Sequence, residues 1–367
     1  MSKQPVRIGF IGAGNMGQCA HLKNYVQLAD CQVVALAEPR GDLRQKVASR
    51  YGIPHTYENH RALLAAEKDL DGLVVVQPFG RHGKLLPEVA QVGIPMFIEK
   101  PLAASIPEAE AIIEALENNG IWLMVGYHKR SDPAAQYAKG EIERLKQTGE
   151  LGPMRYVRIT MPAGDWIAGG FSDLIRSSER QPADPEAAKV PEDMDENLFK
   201  TYTSFINYYI HQVNMLRFLL GEPYEVTYAD PAGLLLVARS ESGITAGIEM
   251  SPYTTTIDWH ESALVAFQHG YIKVDWPAPL AINRPGRVEL FRDAGGSGRA
   301  TGAGGPGEAG ATPQTIVPTL PWVHAMKQQA ANFIGAIRGD VQPPCTAEEA
   351  LEDLRVARQY LRLWQGR

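Results

Sequence analysis

Three groupings of residues in this chain have the types and the spacing to do chemistry on a small molecule. The first is Gly12-Ala13-Gly14-Asn15-Met16-Gly17. In a G-x-G-x-x-G turn the first glycine permits a sharp bend, the second lets a pyrophosphate come close to the backbone, and the third lets helix and strand pack tightly. The helix that follows offers unpaired N–H groups and a partial positive charge to the phosphates. Glu38 lies 21 residues after Gly17. A carboxylate there accepts hydrogen bonds from both adenine-ribose hydroxyls and repels a 2′-phosphate, so NAD is expected over NADP; Arg40 is the neighbour placed to take that phosphate instead. The second grouping is Glu99-Lys100-Pro101 and the third is His211. Oxidising an alcohol requires a base for the hydroxyl proton, which suits a histidine, and a cation to steady the developing alkoxide, which suits a lysine. Taken alone, Lys100 reads as a surface lysine and His211 as a satisfied core histidine.

The elements that must position these groups can be read from the hydrophobic pattern. Val6–Ile11, Gln32–Glu38, Gly72–Val76, Met96–Glu99 and Ile121–Val125 are short apolar runs, and helical patterns at Met16–Gln27, Asp42–Tyr51, Lys84–Val92 and Pro107–Asn118 fall between them. Apolar strands alternating with helices predict a doubly wound parallel sheet. In such a sheet ligands sit at the carboxyl ends of the strands, and that is where the glycine turn, Glu38 and Lys100 fall. The pattern then changes. A helix is predicted over Asp132–Gln147, a strand over Met154–Met161, and a long helix over Thr201–Leu220. On that helix Ser204, Asn207, His211 and Asn214 would share a polar face, and Tyr209, Val213, Leu216 and Leu220 an apolar one. Strands at Leu234–Ser240, Ile244–Met250, Ser262–Phe267, Tyr271–Trp276 and Val288–Arg292 are joined by short turns, which predicts antiparallel pairing. The expected architecture is an α/β Rossmann domain over residues 1–125, then an α+β domain with a large open, mostly antiparallel sheet over 126–345. A docking helix over 346–367 follows, opened by Thr346 and Glu349 in capping-box spacing.

Two segments stand apart. Residues 179–197 hold seven acids and three prolines, too long and too acidic for a plain connector, and are expected to form a loop that covers the substrate cleft. Residues 294–311 hold eight glycines without a Gly-X-Y period and read as a glycine-rich loop.

Composition excludes several classes. With 36 Lys and Arg against 42 Asp and Glu the chain has a net charge of −6, so there is no basic surplus for nucleic acid. Cys19, Cys31 and Cys345 are scattered, with neither a CxxC pair nor a Cys/His metal spacing, which points to a reducing compartment and to no metal site. No run of 18 apolar residues and no signal-peptide pattern is present, and a cytoplasmic location is expected.

Several of these motifs together resemble the Gfo/Idh/MocA family of sugar and cyclitol dehydrogenases. They are GFIGAGNMG, Glu38, QPFGRH with Gln77, Pro78 and His82, then IEKPL, GYHKRSDP and IHQVNMLRFLLGEP. The resemblance implies that Lys100 and His211 are the active-site pair and that the Lys100–Pro101 bond is cis. It also implies a cofactor site built from Gly12, Gly14, Asn15, Met16, Gly17, Glu38, Gln77, Pro78, His82, Glu99 and Lys100, and a homo-oligomer formed through the second-domain sheet. One departure bears on mechanism. Where family members commonly carry Asp four residues before the histidine and three after it, this chain has Asn207 and Asn214. Asn207 can orient the imidazole but adds no charge to raise its pKa. The expected activity is NAD-dependent hydride transfer to or from a secondary hydroxyl, C3 in the leading reading, of a sugar or glycoside. The alternatives are oxidoreductive glycoside cleavage and a dinucleotide-binding regulator without turnover.

Overall fold

The computed structural model describes residues 4–180, 188–293 and 313–366. The glycine-rich loop and the centre of the acidic loop lie outside the described residues. Two compact units share the chain. The first comprises residues 1–131, 169–210 and 326–357, and the second 132–168, 211–325 and 358–367.

The first unit is built on a six-stranded parallel sheet in the order β3-β2-β1-β4-β5-β6. Its strands are β1 (Val6–Ile11), β2 (Cys31–Ala37), β3 (His55–Tyr57), β4 (Gly72–Val75), β5 (Met96–Glu99) and β6 (Leu123–Gly126). Its first five helices are α1 (Lys23–Tyr25), α2 (Gly41–Tyr51), α3 (His60–Ala66), α4 (His82–Ala90) and α5 (Ile106–Asn118). Five of the six strands are longer than three residues and are largely apolar on their inner positions, as strands of a sheet covered by helices on both faces must be. Strand order reverses between β1 and β4, the switch point at whose carboxyl ends ligands collect in this architecture. Aromatic rings fill the core beneath. Phe10 packs edge-on to Tyr25 at 5.3 Å, and Phe333 contacts Phe97 at 5.9 Å and Trp122 at 5.7 Å. A side chain at Gly72 would meet Ile337 at 2.7 Å, so the missing Cβ admits the helix that carries Phe333.

The second unit holds an eight-stranded sheet in the order β14-β13-β12-β11-β7-β10-β9-β8. Helix α6 (Pro133–Thr148) precedes β7 (Met154–Ala163), and α7 (Glu196–Tyr208) and α8 (Ile210–Leu220) follow it in the chain, α7 belonging to the first unit. The later strands are β8 (Tyr224–Ala229), β9 (Leu235–Ser240), β10 (Thr245–Thr254), β11 (Ser262–Phe267), β12 (Gly270–Asp275), β13 (Arg287–Arg292) and β14 (Gln314–Ile316). Pairing is antiparallel except between β7 and β10, which run parallel. Asp132 caps α6 through Ala134 N–H at 2.8 Å and also accepts from Gly286 N–H at 3.1 Å. The chain ends on α9 (Ala325–Ile337) and α10 (Ala347–Trp364).

Two sequence expectations are corrected. The helix read as continuous over Thr201–Leu220 begins earlier, at Glu196 with Asp195 as its cap, and is broken at Tyr209. The Tyr208 and Tyr209 rings pack edge-on at 4.9 Å, and Tyr209 sits at φ −93°, ψ −3°, near the bridge region where the helical ladder is interrupted. The helix predicted over Met16–Gln27 is a π-helical turn at Gly17–Leu22 followed by the short α1.

Candidate active site

The glycine turn leaves β1 under tight steric control. Gly12 has φ +109°, and a Cβ there would lie 2.2 Å from the Val76 carbonyl oxygen. A Cβ on Gly17 would lie 2.6 Å from the Gly12 carbonyl oxygen, whereas one on Gly14 would meet nothing within 4 Å. The two outer glycines are thus required by the turn itself. The middle one faces open space, as a backbone that must admit a pyrophosphate should. Asn15 is exposed and Met16 half-buried. Gln18 braces the turn from behind: its amide nitrogen donates to Ala13 O at 2.9 Å, and its amide oxygen accepts from Ile175 N–H at 2.9 Å.

Glu38 follows β2 directly and is 3 % exposed. Its Oε2 accepts from Ala13 N–H at 3.0 Å, which ties the end of β2 to the glycine turn, and its Oε1 accepts from Arg40 Nε at 2.6 Å. Beyond β4, Gln77 Nε2 reaches Ile11 O at 3.4 Å, and Gln77 Oε1 accepts from Arg81 at 2.8 Å. Pro78 opens the short 3₁₀ turn Phe79–Arg81. His82 is fully buried, with Nδ1 3.1 Å from Leu102 O and Nε2 3.2 Å from Gln77 O. Burial pulls its pKa down against these carbonyls. Both ring nitrogens are thus directed at the main chain, where they join the segment after β4 to the segment after Lys100.

At the end of β5 the Lys100–Pro101 peptide is cis. Lys100 Nζ donates to the Asn207 carbonyl oxygen at 2.6 Å, and Lys100 N–H donates to Glu99 Oε2 at 3.3 Å. Burial pulls the Lys100 amine down to about 8, against the favourable charge of Glu99 and with a small push from Lys129. An amine with that pKa exchanges protons near neutrality, as a general acid or base must. Burial pushes the Glu99 carboxyl upward, but its bond to His21 and the charges of His21 and Lys100 outweigh this and leave it below its usual value. His128, after β6, is held well below its usual pKa by burial and by the charges of Lys129, Lys100 and His21. Asn207 contributes its main-chain carbonyl to Lys100, and its side chain is exposed.

In the second unit, His211 is half-buried near the start of α8, while Asn214 is buried. The next residue, Gln212, is fully buried and donates to Glu261 at 2.6 Å, and Trp259 Nε1 donates to the other oxygen of Glu261 at 3.1 Å. The sequence pattern missed Gln212, Glu261 and His21. The visible signal for His21 was a lone histidine in an apolar stretch, four residues after Gly17.

The family model described as "Oxidoreductase family, NAD-binding Rossmann fold", Gfo/Idh/MocA, matches residues 6–127. The amino-terminal third of the chain is thus similar to the Gfo/Idh/MocA oxidoreductase family. Among relatives, the uncharacterized oxidoreductase YrbE of Bacillus subtilis is 24% identical over 98% of this chain and 94% of its own. The scyllo-inositol 2-dehydrogenase (NAD(+)) of the same organism is 26% identical over 67% of each chain. Among solved structures, a levoglucosan dehydrogenase in complex with NADH and levoglucosan superposes with TM-score 0.70 at 17% identity, covering 99% of this chain and 98% of that one. The match over residues 6–127 agrees with the Rossmann sheet and with NAD as the cofactor class, and the open space at Gly14 fits a pyrophosphate at this turn. Among the described residues no helix is long and apolar enough to cross a membrane.

Proposed function

We propose that the protein is an NAD-dependent dehydrogenase that moves a hydride to or from a secondary hydroxyl of a sugar or glycoside, C3 in a glycoside. The observation that carries this reading is Lys100: a half-buried amine at the carboxyl end of β5, with a pKa near 8, in a family of NAD-binding oxidoreductases. Relatives named for scyllo-inositol and levoglucosan support a hydroxylated ring as substrate. Gly12, Gly14, Asn15, Met16 and Gly17 hold the pyrophosphate, Glu38 the adenine ribose, and Gln77, Pro78 and Glu99 line the remainder of the cofactor path. His82 acts through Gln77 and Leu102. Bound NAD supplies the hydride acceptor. His211 takes the hydroxyl proton as the carbonyl forms, and the Lys100 ammonium steadies the alkoxide on the way. Asn207 positions Lys100 through its carbonyl. The open face of the second sheet, where Tyr271 and Phe291 stack at 5.3 Å, is the surface offered for self-association.

The test is a screen of cyclitols, free sugars and glycosides with NADH and released aglycone followed together. NADH formation with a kinetic isotope effect from deuterium at C3 is the expected result. Aglycone release without NADH build-up would replace the reading with oxidoreductive glycoside cleavage, and no turnover of any polyol would discard it.

A further inference from the structure

The π-helical turn at Gly17–Leu22 is rare in kind, and such turns concentrate at functional sites. Lys23 N–H reaches back five residues to Gln18 O, which widens the turn. Two side chains of the widened turn face in different directions. Gln18 braces the glycine turn through Ala13 O. His21, 1 % exposed, places Nε2 2.7 Å from Glu99 Oε1, with its ring against Phe97 at 5.1 Å between centroids. The second oxygen of Glu99 accepts from Lys100 N–H. One helical turn therefore supports both the backbone assigned to the pyrophosphate and the carboxylate that adjoins the active-site lysine.

We propose that His21 is a positioning residue for Lys100: by holding Glu99 as a buried carboxylate in one orientation, it fixes the Lys100 main chain and keeps the ε-amine charged. The inference rests on the role proposed above for Lys100. A carboxylate deprived of its partner in a buried site takes up a proton rather than remain charged. Without His21, Glu99 becomes neutral and Lys100 loses the Glu99 charge that favours its ammonium form. The charged and titratable groups that bear on this pair come from three places. Cys19, His21 and Tyr25 come from the turn and α1, His82 from the start of α4, and His128 and Lys129 from the segment after β6. Of these, His21 is the one in hydrogen-bond contact with Glu99.

The experiment follows Lys100 directly, by NMR of protein carrying 13Cε-lysine with the Lys100 signal assigned from Lys100→Arg. It compares wild type, His21→Leu and His21→Gln; the amide of His21→Gln can still donate to Glu99. His21→Leu is expected to lower the Lys100 titration midpoint by roughly one pH unit. It should also cut kcat by about 10- to 100-fold with NAD affinity within twofold. His21→Gln should restore most of both. Should His21→Leu fail to fold, His21→Asn, whose amide is too short to reach Glu99, takes its place. An unmoved Lys100 midpoint overturns the proposal. So does a midpoint that moves equally in His21→Gln, because packing and not the hydrogen bond would then be responsible. The NMR reading does not depend on turnover, so it stays decisive if the dehydrogenase assignment itself fails on Lys100→Ala.

Discussion

Two glutamates end two strands of the same parallel sheet, and their partners differ. Glu38, after β2, is paired with Arg40, a permanent cation whose side chain is 19 % exposed. Glu99, the last residue of β5, is paired with His21, a titratable ring whose side chain is 2 % exposed. The first stands at the strand end to which the adenine ribose is assigned in the proposed function, which suits recognition. The second sets a buried imidazole against a carboxylate that adjoins a lysine with a lowered pKa, which suits proton chemistry. Under the proposed function the same residue type would serve affinity at one strand end and acidity at another, with the partner deciding which.

This contrast can be broken at either end. The largest effect is expected from Lys100→Ala, which removes the group that the β5 end serves. Its kcat should fall by about 10²–10⁴-fold while the Kd for NAD, measured by calorimetry, hardly changes; retained turnover would refute the assigned role. Raising the pH gives the next largest effect. Because burial lowers the Lys100 pKa to about 8, the ammonium is present below that pH and is lost above it. The rate should therefore decline by about tenfold per pH unit beyond 8, and a rate that keeps climbing through pH 9 would exclude the ammonium role. At the β2 end, Glu38→Ala should cost about tenfold in NAD affinity, the worth of a charged hydrogen bond, and leave kcat almost unchanged. With Arg40 released, NADP should bind comparatively better. The smallest effect belongs to Arg40→Ala. Glu38 keeps the Ala13 contact, so NAD affinity should stay within about threefold while discrimination against NADP sharpens. Equal binding of both cofactors in that variant would show that Glu38 does not select.

Much of the first unit was legible because its chemistry and its packing follow the same pattern. Strands buried on both faces must be apolar throughout, so β1, β2, β4 and β5 stand out, and the residues after them fall at the strand ends where ligands bind. The short edge strand β3, His-Thr-Tyr, carries no such pattern, and neither does β14. Helix α9 went unread because its apolar positions gain meaning only from the core that Phe333 enters. The break at Tyr209 depends on two neighbouring rings and lies below the resolution of helical periodicity. His21 was hidden for a related reason. Its partner, Glu99, is 78 residues away, and the π turn that aims it leaves no trace in the spacing of apolar residues. The boundaries between units were also hard to see, because segments 169–210 and 326–357 return to the first unit after the chain has left it.

The parallel pairing of β7 with β10 has a consequence for how the chain reaches this state. Thr245 pairs with Tyr156, so the middle ladder of the eight-stranded sheet closes a loop of about 90 residues, whereas β11, β12 and β13 follow one another as hairpins. Short loops close first, since closure entropy must be met before distant pairing rewards it. The hairpin half of the sheet should gain protection from hydrogen exchange early in refolding, and the amides that pair β7 with β10 and with β11 late. Until they do, β7 presents both edges to every other copy in solution, so yield on refolding should fall with protein concentration.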